Sequence, residues 1–305
     1  MERTEQRRAW YLRTTWSERL FKLFSAAVLT LLCLTIVYPF WTQVLLSFSD
    51  VDEATSLGLR LWIKEWHTGA YLFAFSGYGN VLVAYGNSIF RVVVGTALCV
   101  TFTILAAYPL SKRRLPGRTL LTVLVLITMF FSGGIIPQYL LMRYLGLIDT
   151  RWSLILPTLT TGFYVIITRN FMMTMDEALE EAAFMEGAHY GSILIRIIVP
   201  LSKPVIATVL LWAAVYHWNE WFHALIYINE ESKVVLQLLL RRMLRDLQQA
   251  MSDSLLDFAL ARAVKLPTAA VQAAVVILTV GPIVLLYPFV QRHFVRGIFV
   301  GSLKG

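Results

Sequence analysis

The chain has 305 residues, 57% of them hydrophobic and only 15% charged, with 27 Lys and Arg against 19 Asp and Glu and a formal net charge of +8. So apolar a composition excludes an ordinary soluble domain, and the basic residues gather at the ends of apolar runs, which argues against nucleic acid as a partner. What remains is an all-α polytopic membrane protein with lipid around it.

Residues 1–19 form a polar tail with Arg3, Arg7, Arg8, Arg13 and Arg19. The apolar run that follows, 20–48, is far longer than the roughly 7–15 residues of a signal-peptide core, and no small-residue cleavage site follows it. It reads as a retained first span. A span needs about 20 apolar residues at a rise of about 1.5 Å each. Five more segments qualify, 85–110, 120–145, 152–173, 205–228 and 266–290, so 20–290 reads as one domain of six transmembrane helices. The third span contains Ser132-Gly133-Gly134 and Pro137, which should bend or interrupt it. Cys33 and Cys99 fall inside spans without metal or redox spacing and read as small hydrophobes.

The loop 111–118 carries Lys112, Arg113, Arg114 and Arg118 and marks the cytoplasm by the positive-inside rule. Both termini, including the tail 291–305, and the segment 174–203 then face the cytoplasm. The loops 49–84, 142–151 and 229–265 face outward. In the last of these Leu236, Leu239, Leu240, Met243, Leu244 and Leu247 recur at helical spacing with Arg241, Arg242 and Arg245 between them. That pattern predicts an amphipathic helix, either at the membrane surface or as a docking face for an extracytoplasmic protein.

The stretch Thr174–Pro204 is built differently from the rest. Thr174 with Glu177 three residues on reads as a capping box that starts a helix. Asp176, Glu177, Glu180 and Glu181 crowd its first turns; like-charge repulsion at i,i+4 costs about 0.2–0.5 kcal/mol per pair. The positive end of the helix dipole offsets this by about 0.3–1 kcal/mol per acid. Ala178, Ala182 and Ala183 leave one side nearly smooth for close approach by another protein. Gly187 permits a change of direction, a second helical stretch covers about 188–198, and Pro200 and Pro204 end it.

These residues resemble the EAA loop of ABC importer permeases. Glu181-Ala182-Ala183, Gly187, Ile197 and Pro200 fall on the fixed positions of the pattern; Val199 stands where Leu is usual, Glu186 where Asp is usual and Leu194 where Phe is common. From about 88 to 305 the chain is similar to the maltose-permease-like half of carbohydrate importers. Trp218-Asn219-Glu220 and the tail 297–305 (GIFVGSLKG) carry this resemblance. Ser132-Gly133-Gly134-Ile135-Ile136-Pro137 and Leu145-Gly146-Leu147 look like a branch that handles oligosaccharides, including uronic-acid sugars such as aldouronate and alginate fragments.

The resemblance implies a type I ABC importer permease fold in a bacterial cytoplasmic membrane. It implies a homologous second permease subunit, an ATPase subunit dimer and an extracytoplasmic solute-binding protein that delivers the oligosaccharide. ATP and Mg would be bound by the partner ATPase. Glu181 would meet a basic group there, Ala182 and Ala183 would allow close fit, and Gly187 would make the turn. In keeping with this, no G-x-x-x-x-G-K-[ST] occurs, and H-E-x-x-H and G-x-S-x-G are absent, so no catalytic, cofactor-binding or metal-binding residue is assigned.

In the fifth span Glu220 is the only carboxylate well inside a predicted span. Tyr216, His217, Asn219 and Glu220 read either as part of an outer aromatic belt or as the polar lining of a sugar path. Arg91 and Arg169 read as structural residues whose long stems snorkel to a span end. A secondary transporter would show stronger inverted-repeat symmetry, and a membrane-embedded enzyme would need several converging ionisable groups. An ABC permease for a non-sugar solute remains the alternative within the family.

Overall fold

The computed structural model describes residues 16–49, 61–76, 81–256, 269–282 and 284. Among them every regular element is helical. The described residues fall into two compact units, one from those within 16–71 and 269–277 and the other from those within 72–256 and 278–284.

In the first unit α1 (Trp16–Ser47) exposes apolar residues along nearly its whole length and becomes buried only at its end, at Leu45 and Ser47. That end is tied down locally. The Tyr71 hydroxyl lies 2.9 Å from the Ser47 hydroxyl, Trp41 Nε1 donates to the Leu61 carbonyl, and the Phe48 ring meets Trp66 and Tyr71.

The second unit is arranged around α3 (Val81–Ser111), which follows the short α2 (Gly69–Ser76). Next come α4 (Arg118–Phe130) and α5 (Ile135–Tyr144), bent by 111° to each other. The break falls at the predicted Ser-Gly-Gly: Gly134 has φ 85°, which a residue with a side chain resists. Pro137 sits in the first turn of α5, where a missing N–H costs nothing.

The run 152–173 does not form one helix. Turns at Arg151–Leu154 and Leu156–Thr158 precede α6 (Gly162–Met172). Pro157 lacks the donor a helix needs. The hydroxyls of Ser153 and Thr158 donate to nearby carbonyls, and Thr161 caps α6 by accepting from Tyr164 N.

The central loop also departs from expectation at its ends. Its first helix, α7 (Ala178–Met185), begins four residues beyond Thr174, because the Thr174 hydroxyl donates backward to Phe171 O while the Asp176 carboxylate accepts from Ala178 N. The capping box is therefore not formed. The second helix, α8 (Tyr190–Leu201), runs through Pro200 rather than ending at it. Its turns at Leu194–Ile198 are widened to π geometry, which accommodates a residue with no N–H. The chain bends by 82° at Ser202 into α9 (Lys203–Asn219), with Pro204 in its first turn.

The run 205–228 is broken as well: Glu220 is extended (φ −78°, ψ 115°), and α10 (Phe222–Tyr227) starts anew. The predicted amphipathic helix is α11 (Leu236–Leu256). Leu236, Leu240 and Met243 are buried within this chain, and Leu238, off the predicted stripe, joins Leu154, Ala224, Ile228, Val234 and Val235 in a core cluster. The last helix, α12 (Ala269–Pro282), covers part of the predicted 266–290 span. The polar tail before Trp16 and the 297–305 motif lie outside the described residues.

Among the described residues two helices, α1 and α3, are long and apolar enough to cross a membrane by themselves, and up to four spans result if α4–α5 and α8–α9 each count as one.

One polar clamp orders the 227–233 turn. Asp149, in the left-handed region at φ 59°, accepts from the amides of Asn229 and Glu230, and its own amide donates to Tyr227 O. The Glu230 amide, the largest cause, together with Asn229 and Lys233 holds the Asp149 carboxyl below its ordinary range. A carboxylate whose folded pKa is depressed stabilises fully above its unfolded value of about 3.9, and the stabilisation is lost as pH falls through the lower folded value. Amide exchange at Asn229 and Glu230 should thus stay slow at neutral pH and accelerate only in acid below that range. Asp149→Ala should lose the protection, measured against the unfolded-chain rate, at both pH values; retained protection in the variant would remove the clamp.

Candidate functional site: two ion-pair clusters at either end of one helix

The first cluster joins the Ser111 end of α3 to the central loop. Three consecutive basic residues meet three acids of the α7 region. Lys112 Nζ pairs with the Glu180 carboxylate, Arg114 Nη2 with Glu181 at 3.0 Å, and Arg113 Nε approaches Glu177 at 3.6 Å. The three are unequal. Arg113–Glu177 and Arg114–Glu181 lie in solvent and are worth about 0–1 kcal/mol each. Lys112–Glu180 is largely enclosed, with side-chain exposures of 26% and 12%, and Lys112 also sits 4.5 Å from the centre of the Tyr108 ring.

An apolar core backs this cluster. Ala107, Tyr108 and Leu110 of α3 pack with Val165 and Met172 of α6, Ala183 of α7, and Ile193, Leu194 and Ile198 of α8. Ala183, read from sequence as part of a face for another protein, is buried in its own chain, whereas Ala182 remains exposed. Gly187 closes α7 at φ 81°: its amide donates to Phe184 O and that of Ala188 to Ala183 O, the paired bonds of a Schellman turn. Ile197 is half-buried within the π turn, and Pro200 is exposed. The face turned to solvent carries Leu179, Glu181, Ala182 and Met185.

The second cluster lies near the opposite end of α3. Arg91 is 2% exposed, and its guanidinium grips Glu220 twice: Nη2 donates to Oε2 at 2.6 Å and Nη1 to the backbone carbonyl at 2.5 Å. The other carboxylate oxygen accepts from His223 N at 2.9 Å, in the first turn of α10. Glu220 thus holds the helix break open by satisfying groups on both sides of it. Arg91 is not a snorkelling residue. Sequence reasoning missed it; the available signal was that a charge inside an apolar run calls for a partner, and Glu220 was the one carboxylate on offer. Arg169, the other residue read as structural, donates to Leu110 O.

Of the four residues proposed to line a path, the structure exposes Tyr216 (40%) and Asn219, encloses Glu220 in its ion pair and buries His217 at 2%. The His217 ring lies where a side chain on Gly95 would be, 2.6 Å from an ideal Cβ, so α3 and α9 approach closely there. The Tyr85 hydroxyl and Trp218 Nε1 donate to the carbonyls of Leu278 and Thr279. Asn87 donates to Ser232 O and Val234 O, and Ser88 accepts from Leu236 N, so this end of α3 also fixes the start of α11. Among the described residues no group of His, Cys, Asp and Glu could hold a metal ion.

A family model described as "Binding-protein-dependent transport system inner membrane component" matches residues 77–300. Protein LplC of Bacillus subtilis (strain 168) is 42% identical over 271 residues, covering 88% of this chain and 90% of LplC. The polygalacturonan/rhamnogalacturonan transport system permease protein YtcP of the same organism is 37% identical over 293 residues, 94% of this chain and 99% of YtcP. Among solved structures, a chain of a bacterial ABC transporter involved in the import of the acidic polysaccharide alginate superposes with a TM-score of 0.82. It is 29% identical to this chain, covering 92% of this chain and 99% of that one.

Proposed function

Because this chain belongs to the family of binding-protein-dependent transport system inner membrane components, we propose that it is the permease subunit that admits acidic, uronic-acid-containing oligosaccharides in an ATP-driven importer. The observation that carries the substrate class is near-full-length similarity both to a polygalacturonan/rhamnogalacturonan permease and to a chain of an alginate importer. A second, related permease completes the pathway, a solute-binding protein delivers the sugar from outside, and an ATPase dimer holds ATP and Mg. The 111–118 loop, the 174–203 segment and both termini lie on the ATPase side.

The residues divide the work accordingly. The solvent face of α7, with Leu179, Glu181, Ala182 and Met185, seats in the ATPase, and Gly187 sets its angle to α8. At the other end Tyr216 offers an aromatic face and Asn219 an amide, groups that suit the C–H faces and hydroxyls of a sugar ring. Arg91 does not serve the sugar's carboxylates, since Glu220 already occupies it.

The test is the ATPase activity of the reconstituted complex with its binding protein. Oligogalacturonate or oligoalginate should stimulate it, and neutral maltotriose should not. Stimulation by the neutral sugar alone, or by a non-sugar solute alone, would overturn the substrate class. The chain purified without its ATPase should leave ATP unhydrolysed.

A further inference from the structure

The two ion-pair clusters belong to one rigid element. α3 is continuous from Val81 to Ser111, and Arg91 stands about 30 Å along it, at the usual rise, from Lys112 just past its end. At one end Lys112 holds Glu180 of α7 while Ala107, Tyr108 and Leu110 bury Ala183. At the other, Arg91 holds both the carboxylate and the carbonyl of Glu220, and Gly95 lets α3 close on His217 of α9. Two routes therefore lead from α7 to the break in the fifth span. One follows the chain through α8 and the 82° bend at Ser202. The other crosses to α3 and bypasses that bend.

We propose that α3 is the connecting rod of the transport cycle, with Lys112 and Arg91 as its two positioning residues: movement of α7 is passed through Lys112–Glu180 to α3 and through Arg91–Glu220 to the segment carrying Tyr216 and Asn219. The inference rests on the permease reading above. It assigns Glu180 a partner within its own chain, leaving the solvent face of α7 for the ATPase. A bend absorbs displacement by changing its angle, whereas a continuous helix held at two distant points transmits it. Physical coupling of this kind is shown only when both ends respond together.

The experiment needs no sugar. In a background with Cys33 and Cys99 replaced by Ser, Asn219→Cys is labelled with a maleimide in the assembled complex, with and without vanadate-trapped nucleotide. The wild-type pairing should give two different labelling rates. Lys112→Met keeps the stem over Tyr108 and removes the charge. It should retain the ATPase on co-purification, yet reduce the nucleotide-dependent rate ratio by about fivefold or more, the lower end of ordinary coupling. The charge exchange Lys112→Glu with Glu180→Lys should restore most of the response. A full response in Lys112→Met overturns the rod and leaves the permease reading standing. Loss of the ATPase from Lys112→Met also overturns it, making Lys112 a docking residue. A complex that shows no nucleotide response with Lys112 and Glu180 intact removes the permease reading and the rod together.

Discussion

Arg91→Ala should destabilise the chain by about 3–5 kcal/mol, because removing one partner of a buried pair leaves the other charge uncompensated. Glu220 would keep only His223 as a partner for its carboxylate, through the backbone N–H at 2.9 Å and the ring Nδ1 at 3.3 Å, in an environment where its side chain is 11% exposed, and its carbonyl would lose the second guanidinium bond. The break between α9 and α10 then loses its polar tie to α3, and the packing of His217 on Gly95 remains. The double variant Arg91→Met, Glu220→Met separates the pair's net contribution from the cost of breaking it. Replacement of both members of a buried pair by apolar residues is often close to neutral. The double variant should therefore unfold near the parent protein, short by about 0.5–1.5 kcal/mol for the lost bond to His223 N. Thermal unfolding in detergent reads both. An Arg91→Ala variant as stable as the parent would mean that the pair is not closed in the protein.

The second large effect is expected at Gly187. An ideal Cβ there meets nothing within 4 Å, so the cost that any side chain brings at Gly187 comes first through the backbone. Holding an L-residue in the left-handed region costs about 1–2 kcal/mol, enough to change the population of the closed turn by roughly five- to thirtyfold. The Schellman bonds open and α7 no longer keeps its angle to α8. Membrane insertion should be unaffected in Gly187→Leu while uptake falls with that population, and Gly187→Ala, which pays the same backbone cost, should show much of the same fall. Glu181→Lys provides the complementary test. Its intramolecular pair with Arg114 is exposed and worth about 0–1 kcal/mol, so loss of that contact alone changes little. If uptake collapses in Glu181→Lys while the chain's thermal stability is unchanged, the carboxylate is meeting a charge on the ATPase. Uptake at the parent level in both variants would mean that this loop does not couple.

The sequence made the chemistry of the central loop readable because that chemistry is local. Gly187 is where a glycine is needed, and the acids of α7 sit next to one another in the chain. The oligosaccharide branch was also readable, from 132–137 and 145–147, and relatives named for polygalacturonan and alginate fall on the same side. Helix continuity was not. Hydropathy counts apolar residues without asking whether the backbone runs on, so 152–173 and 205–228 read as single spans although Pro157 and Glu220 sit at interruptions. Arg91 was misread for a different reason. Its long stem and its place near a span end made snorkelling plausible, and its partner lies 129 residues away in sequence. The same distance problem hid the bases of the first cluster. Arg114 precedes Glu181 by 67 residues, so the acids of α7 looked as though they awaited another protein. Ala183 shows the limit of residue type as evidence, since a small side chain permits close approach from either side and here its own chain takes the place.

The most direct measurement is accumulation of labelled oligogalacturonate by proteoliposomes that contain this chain, its partner permease and the ATPase, with binding protein outside and ATP inside. Accumulation should require ATP, the binding protein and an ATPase able to hydrolyse, and should be lost in Gly187→Leu. Accumulation that persists without ATP and follows an imposed ion gradient would identify a secondary transporter and contradict the central claim.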